Sequence, residues 1–164
     1  MSKGMTGRIL ILLITLVLTV FITGCSGMDT DGKKTTVGKL ILEQDSITTI
    51  TVVSGSSKQT SINIDDSDYI KKLLDEVQDI PVKRMSKDED ISFMKPRIQD
   101  EAMVSVYFYE YDTSKSLKGA IFIWPDGYVY AVDSESMMGN QRTVSYLSES
   151  KYPEIYDCIG VEGE

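Results

Sequence analysis

From Ile9 to Ile22 the chain runs for 14 residues without a charge, a glycine or a proline, and Lys3 and Arg8 precede the run. A helix needs roughly 20 apolar residues to cross the hydrocarbon core, so this run is short for a permanent span. A basic start, a short apolar middle and a small-residue ending are the pattern of an export signal: the positive end stays behind while the apolar part enters the bilayer. An uncleaved anchor and ordinary secretion are the other readings of such a segment. In each case the folded part must come from the residues beyond the run.

The run ends in Ile22, Thr23, Gly24 and Cys25. This ITGC tetrad resembles the lipobox of bacterial lipoproteins, with Ile where Leu is commonest and Thr where Ser or Ala is commonest. The resemblance implies that residues 1–24 are removed and that Cys25 becomes the first residue, joined through its thiol to diacylglycerol. The chain would then be held on the extracytoplasmic face of the cell membrane by lipid, as are many small lipoproteins of Gram-positive bacteria. Beyond the signal, the similarity to such proteins rests on size and layout. The partner so implied is the membrane itself, through the lipid on Cys25.

Removing the first 24 of 164 residues leaves 140, enough for one domain with a modest core. All 25 acidic residues and 15 of the 17 basic ones lie in that remainder, so its formal charge is −10. Such a balance argues against nucleic acid and against polybasic contact with anionic lipid. The chain has no histidine and two cysteines, Cys25 and Cys158. The missing histidine removes Ser-His-acid and Cys-His relays, histidine metal sites and the usual near-neutral base. A lipidated Cys25 leaves Cys158 unpaired, and Cys158 is expected as a buried or half-buried apolar residue.

Residues 25–39, the cysteine and the SGMDTDGKKTTVGK segment, are small and polar and read as a flexible tether. A single domain is expected over 40–164. ITTITVV and QTSINI, separated by SGSSK, predict a first hairpin, Ile47–Val53 with Thr60–Ile64. Asp65, Asp66 and Ser67 offer helix caps, and Ile70, Leu73, Leu74 and Val77 recur at helical spacing up to the stop at Pro81. Val82–Met85 is a possible short strand, and KDED a charged turn. In residues 103–111, Val104, Val106 and Phe108 alternate with Met103, Ser105, Tyr107, Tyr109 and Tyr111, the strongest strand signal in the chain. Thr113–Lys118 reads as a polar connection to a second hairpin, GAIFIW and YVYAVD around Pro-Asp-Gly. A loop to Arg142, a weak strand over Thr143–Leu147 and a short terminal helix carrying Ile155, Cys158 and Ile159 complete the layout. The expected class is α+β: an antiparallel sheet of about five to six strands, with one main helix and a short C-terminal helix packed on one face.

No catalytic, cofactor or metal site is legible. Asp65, Asp66 and Asp68 are explained by capping, and Asp88, Glu89 and Asp90 by solvation. The informative cluster is aromatic: Tyr107, Tyr109, Tyr111, Tyr128 and Tyr130 fall in neighbouring strands, with Trp124 beside the Pro-Asp-Gly turn. If helices cover one sheet face, the other can present these rings to a glycan, a peptide or an envelope protein. The plainer reading is cross-strand packing with hydroxyls reaching water. The functional expectation is non-catalytic binding or accessory work at the cell surface. The rivals are a structural, inhibitory or immunity-like subunit of an envelope complex, and an enzyme using carboxylates or a lysine.

Overall fold

A computed structural model describes residues 32–55, 59–111, 115–139 and 143–159. The expected signal, Cys25 and the first part of the expected tether lie outside these residues. Among these residues eight strands form one antiparallel sheet: β1 (Lys34–Thr36), β2 (Thr49–Ser54), β3 (Thr60–Ile64), β4 (Pro81–Arg84), β5 (Val104–Tyr111), β6 (Lys115–Ile123), β7 (Val129–Val132) and β8 (Ser145–Ser148). Their spatial order is β1-β4-β8-β7-β6-β5-β2-β3. Four helices accompany it among the described residues: α1 (Ser67–Val77), α2 (Lys87–Met94), α3 (Ser134–Met138) and α4 (Pro153–Cys158). The α+β class is as expected; the strand count is not.

The two weak strand signals are both strands, β4 and β8, and one further strand comes from the supposed tether. Lys34, Thr35 and Thr36 pair with Lys83, Val82 and Pro81, and Val37 just after them is wholly buried. A strand held by backbone bonds on a sheet edge needs no apolar pattern of its own, so a polar KTT hides one. The domain therefore begins before residue 40. The supposed connection before Gly119 is strand as well from Lys115 onward, and a register irregularity at Phe108/Tyr109 absorbs Lys118. Gly119 is thus inside a strand and not at its start. A Cβ there would come within 2.9 Å of Ile41, so glycine lets segment 40–43 cross close above β6.

One sheet face carries the main core. Ile50 and Val52 of β2, Val104, Val106 and Phe108 of β5, Ile121 and Ile123 of β6, and Val129 and Ala131 of β7 point to it, as alternation requires. Ile70, Leu73, Leu74 and Val77 of α1 close it from above, with Ile155 and Ile159 from the terminal helix region. Asp66 starts α1 by accepting the Tyr69 amide at 2.8 Å, and the helix ends before Pro81 as anticipated. Each buried aliphatic side chain contributes about 1.5–3 kcal/mol before chain entropy is set against it.

The expectation that helices occupy one face alone is corrected by α2. Its Phe93 and Met94 pack on the opposite face, against Trp124, Tyr130 and Val132. The KDED segment is the first turn of this helix: Ser86 Oγ accepts the Glu89 amide at 3.3 Å, and Glu89 accepts the Ser86 amide at 2.8 Å. Three acidic residues sit where the helix dipole favours negative charge. What reads as a solvated turn is a capping box.

Candidate binding face

The face opposite the main core has two parts. Over β7 and the end of β6 it is covered. Trp124 is 1% exposed and Tyr130 7%. Phe93 stands edge-on to Trp124 with centroids 5.4 Å apart, edge-on to Tyr128 at 5.7 Å, and stacked with Tyr130 at 6.2 Å. Trp124 Nε1 lies 3.5 Å from the Arg97 carbonyl. The Arg97 guanidinium covers the Phe93 ring at 4.4 Å and bonds Asp126 at 2.9 Å. Tyr130 donates its hydroxyl to Asp90 Oδ1 at 2.8 Å. Burial, before any other cause, pushes the Tyr130 phenol up to about 12; the Asp90 carboxylate adds to the rise and a bond with Ser145 works against it. Of the two readings of the aromatic cluster, Trp124 and Tyr130 take the packing one: they are buried and hold α2 on the sheet. Tyr128 is half-buried at the border, with Lys151 Nζ 4.9 Å from its ring centre.

Over β5, among the described residues, no helix covers the face. Tyr107, Tyr109 and Tyr111 project from alternate positions of β5, the first two half-buried and Tyr111 46% exposed. Tyr107 and Tyr109 are nearly parallel, with centroids 6.5 Å apart, and Tyr111 follows at 6.4 Å. Phe122 closes the row edge-on to Tyr107 at 6.1 Å. Lys115 places its ammonium 3.7 Å from the Tyr109 centroid and 5.3 Å from that of Tyr111. On the β2 side the positions beside the rings are small, Thr51 next to Tyr107 and Thr49 next to Tyr109; on the β6 side Ala120 flanks Tyr107 and the half-buried Leu117 flanks Tyr109. Thr51 Oγ1 donates to Asn63 Oδ1 at 2.8 Å, extending a polar floor to the sheet edge. The result is a ridge of amphipathic rings, with a cation above it and a shallow hydroxyl-lined strip beside it. Such a surface suits a flat partner with apolar faces and hydrogen-bonding rims. The sequence placed these three tyrosines together; it held no sign of Lys115, whose role comes from its register opposite Tyr111.

Elsewhere the polar groups have structural partners. Lys118 is buried and bonded to Glu110 at 2.7 Å and to Glu43. Those two bonds, Glu110 first, hold its ammonium above the ordinary lysine range. Glu43, at φ 44°, is turned toward it from the crossing segment, and Ser134 Oγ lies 2.7 and 2.8 Å from the Leu40 and Lys118 carbonyls. Cys158 is half-buried, as expected, and a bond to Glu76 raises its thiol. A cleft of about 580 Å³ between α1 and residues 44–48 has Asp45, Asp65, Lys71 and Asp75 around Ile47, Ile70 and Leu74. Among the described residues, no three acidic, cysteine or histidine side chains are placed to hold a metal ion. No helix among them is long and apolar enough to cross a membrane. Comparison with family models, with curated proteins and with solved structures gives no match.

Proposed function

We propose that this chain is a lipid-anchored extracytoplasmic protein of the bacterial envelope that binds a partner non-covalently through the open tyrosine ridge. The ITGC tetrad after a basic and apolar leader supports the location, with Cys25 as the lipidated residue. The ridge supports the activity, and one observation carries it: Tyr107, Tyr109 and Tyr111 stand in a row on the half of the sheet face that no helix among the described residues covers. The occupants this surface suits are a glycan strand, whose sugar faces stack on tyrosine, or an extended peptide of an envelope protein. The lack of histidine and the structural pairing of Lys118 favour binding over catalysis.

Two measurements test the reading. Cys25→Ala should move the protein from the membrane fraction to the soluble or precursor fractions; unchanged, fully processed membrane association would refute the anchor. Co-sedimentation with purified cell wall and capture from solubilised membranes should both be run with the native chain and with Tyr109→Ala/Tyr111→Ala. Retention of wall or of an envelope protein that disappears in the double variant supports the ridge. Equal retention by both chains refutes it.

A further inference from the structure

The two edges of the sheet are unlike. β1 is three residues long, comes after Lys33 and carries Lys34, which is paired with Glu149 at 2.7 Å. Short length and lysine are the ordinary protections of an edge against further pairing. β3, at the other end of the strand order, has five residues, Thr60-Ser61-Ile62-Asn63-Ile64, with no charge and no proline. Its central Ile62 is 49% exposed. An unguarded edge with an apolar centre is a template for another strand.

The hydrogen-bond alternation shows which groups it offers. Trp124 donates its amide to the Tyr128 carbonyl, and Gly55 donates to the Met103 carbonyl. In an antiparallel ladder bonded and non-bonded pairs alternate, and each residue turns its N–H and C=O to one side. Carried through the register from either starting point, the pairs Ser54–Thr60, Val52–Ile62 and Ile50–Ile64 are the bonded ones. Ser61 and Asn63 therefore turn their backbone N–H and C=O outward, past the last strand.

We infer that β3 pairs with β3 of a second copy of this chain, antiparallel and centred on Ile62, to join two sheets into one. The strand is its own complement in that register. Ser61 meets Asn63 of the second copy as a bonded pair, and the reverse pair forms by symmetry, using all four outward groups. Ile62 meets Ile62 as the intervening non-bonded pair, where side chains approach closest. Thr60 and Ile64 face each other at the ends, so no charge falls within the five-residue match. A two-fold contact of this kind is closed and adds no further edge for growth except β1, which lysine protects. The overall charge of −8 opposes association, and the one uncharged edge is where two copies can approach. This inference is independent of the tyrosine ridge and of the anchor.

The test uses the full chain in detergent or in membranes. With Cys158→Ser as background, Ile62→Cys should give a disulfide dimer of doubled mass under mild oxidation. Ser61→Cys should give little, because its partner is Asn63. Ile62→Glu, at an exposed position, sets like charges opposite each other and should weaken the dimer roughly tenfold or more in sedimentation. The inference is overturned by absence of the Ile62→Cys cross-link, by a cross-link to a chain of another mass, or by identical sedimentation of native and Ile62→Glu chains.

Discussion

The two halves of the sheet face opposite the main core start from the same kind of sequence and end differently. β7 sets Tyr130 outward between Val129 and Ala131, and β5 sets Tyr107 outward between Val106 and Phe108. Alternation aims both rings away from α1, and both fall on one continuous face. Yet Tyr130 is nearly sealed while Tyr107, Tyr109 and Tyr111 remain open to different degrees. The strands do not decide this. A separate element does: α2 lands on β7 and β8 and stops short of β5. Aromatic alternation therefore specifies a face, whereas exposure depends on what the chain lays over it.

The sharpest way to break this contrast is to truncate one ring on each side. Trp124 fills space between Phe93, Tyr130 and the strand below, so Trp124→Ala should cost about 3–5 kcal/mol in denaturant unfolding. Tyr111→Ala, at an exposed strand end, should cost about 0.5 kcal/mol or less. Comparable losses at the two sites would mean that the open half is part of the core and the ridge is not a free surface. A smaller effect is expected at the cap that starts α2. Ser86→Ala removes the acceptor for the Glu89 amide and should cost about 1 kcal/mol. It should also speed hydrogen exchange in residues 87–94 while leaving β5 and β6 protected. Equal acceleration in β5 would show that the two halves open together.

How far the sequence could carry this is set by where each signal resides. The core strands and α1 were legible because they are buried on one side, and burial imposes a period on side chains. The row Tyr107, Tyr109, Tyr111 was legible for the same reason. β1 was not, since its place depends on backbone bonds to β4, and any side chains would serve. Nor was α2 legible as a helix: its two half-buried apolar contributions, Phe93 and Met94, are adjacent and make no stripe, while Ile91 is exposed. Its signature lay in Ser86 and Glu89, three residues apart, a capping-box spacing that a cluster of acids conceals. Missing α2 is what made Trp124 and Tyr130 look available for binding. Lys118 was unreadable for another reason. Its partner Glu110 lies on the paired strand β5, but Glu43 is 75 residues away in sequence, and only the crossing of segment 40–43 over β6 brings it to Lys118.

The finest test of the contrast changes nothing at neutral pH. Tyr130 donates to Asp90 beneath α2, and burial raises its phenol to about 12 in the folded chain, against about 10 when unfolded. Below pH 10 both states hold the proton, so stability does not depend on this group. Between pH 10 and 12 the unfolded chain releases it and the folded chain keeps it, so stability falls as pH rises through that window. Burial also raises the phenols of Tyr69, Tyr146 and Tyr156, so the assignment rests on the difference: phenolate absorbance should include a step near pH 12, or one coupled to unfolding if the chain opens first, that Tyr130→Phe removes. Ser86→Ala, by loosening the cover, should move the same step toward pH 10. If native and Tyr130→Phe chains titrate identically between pH 10 and 12, the cover is not tight enough to exclude water. The sealed half would then differ from the open one in shape alone, and binding at the ridge would have to compete with a second aromatic surface of similar access.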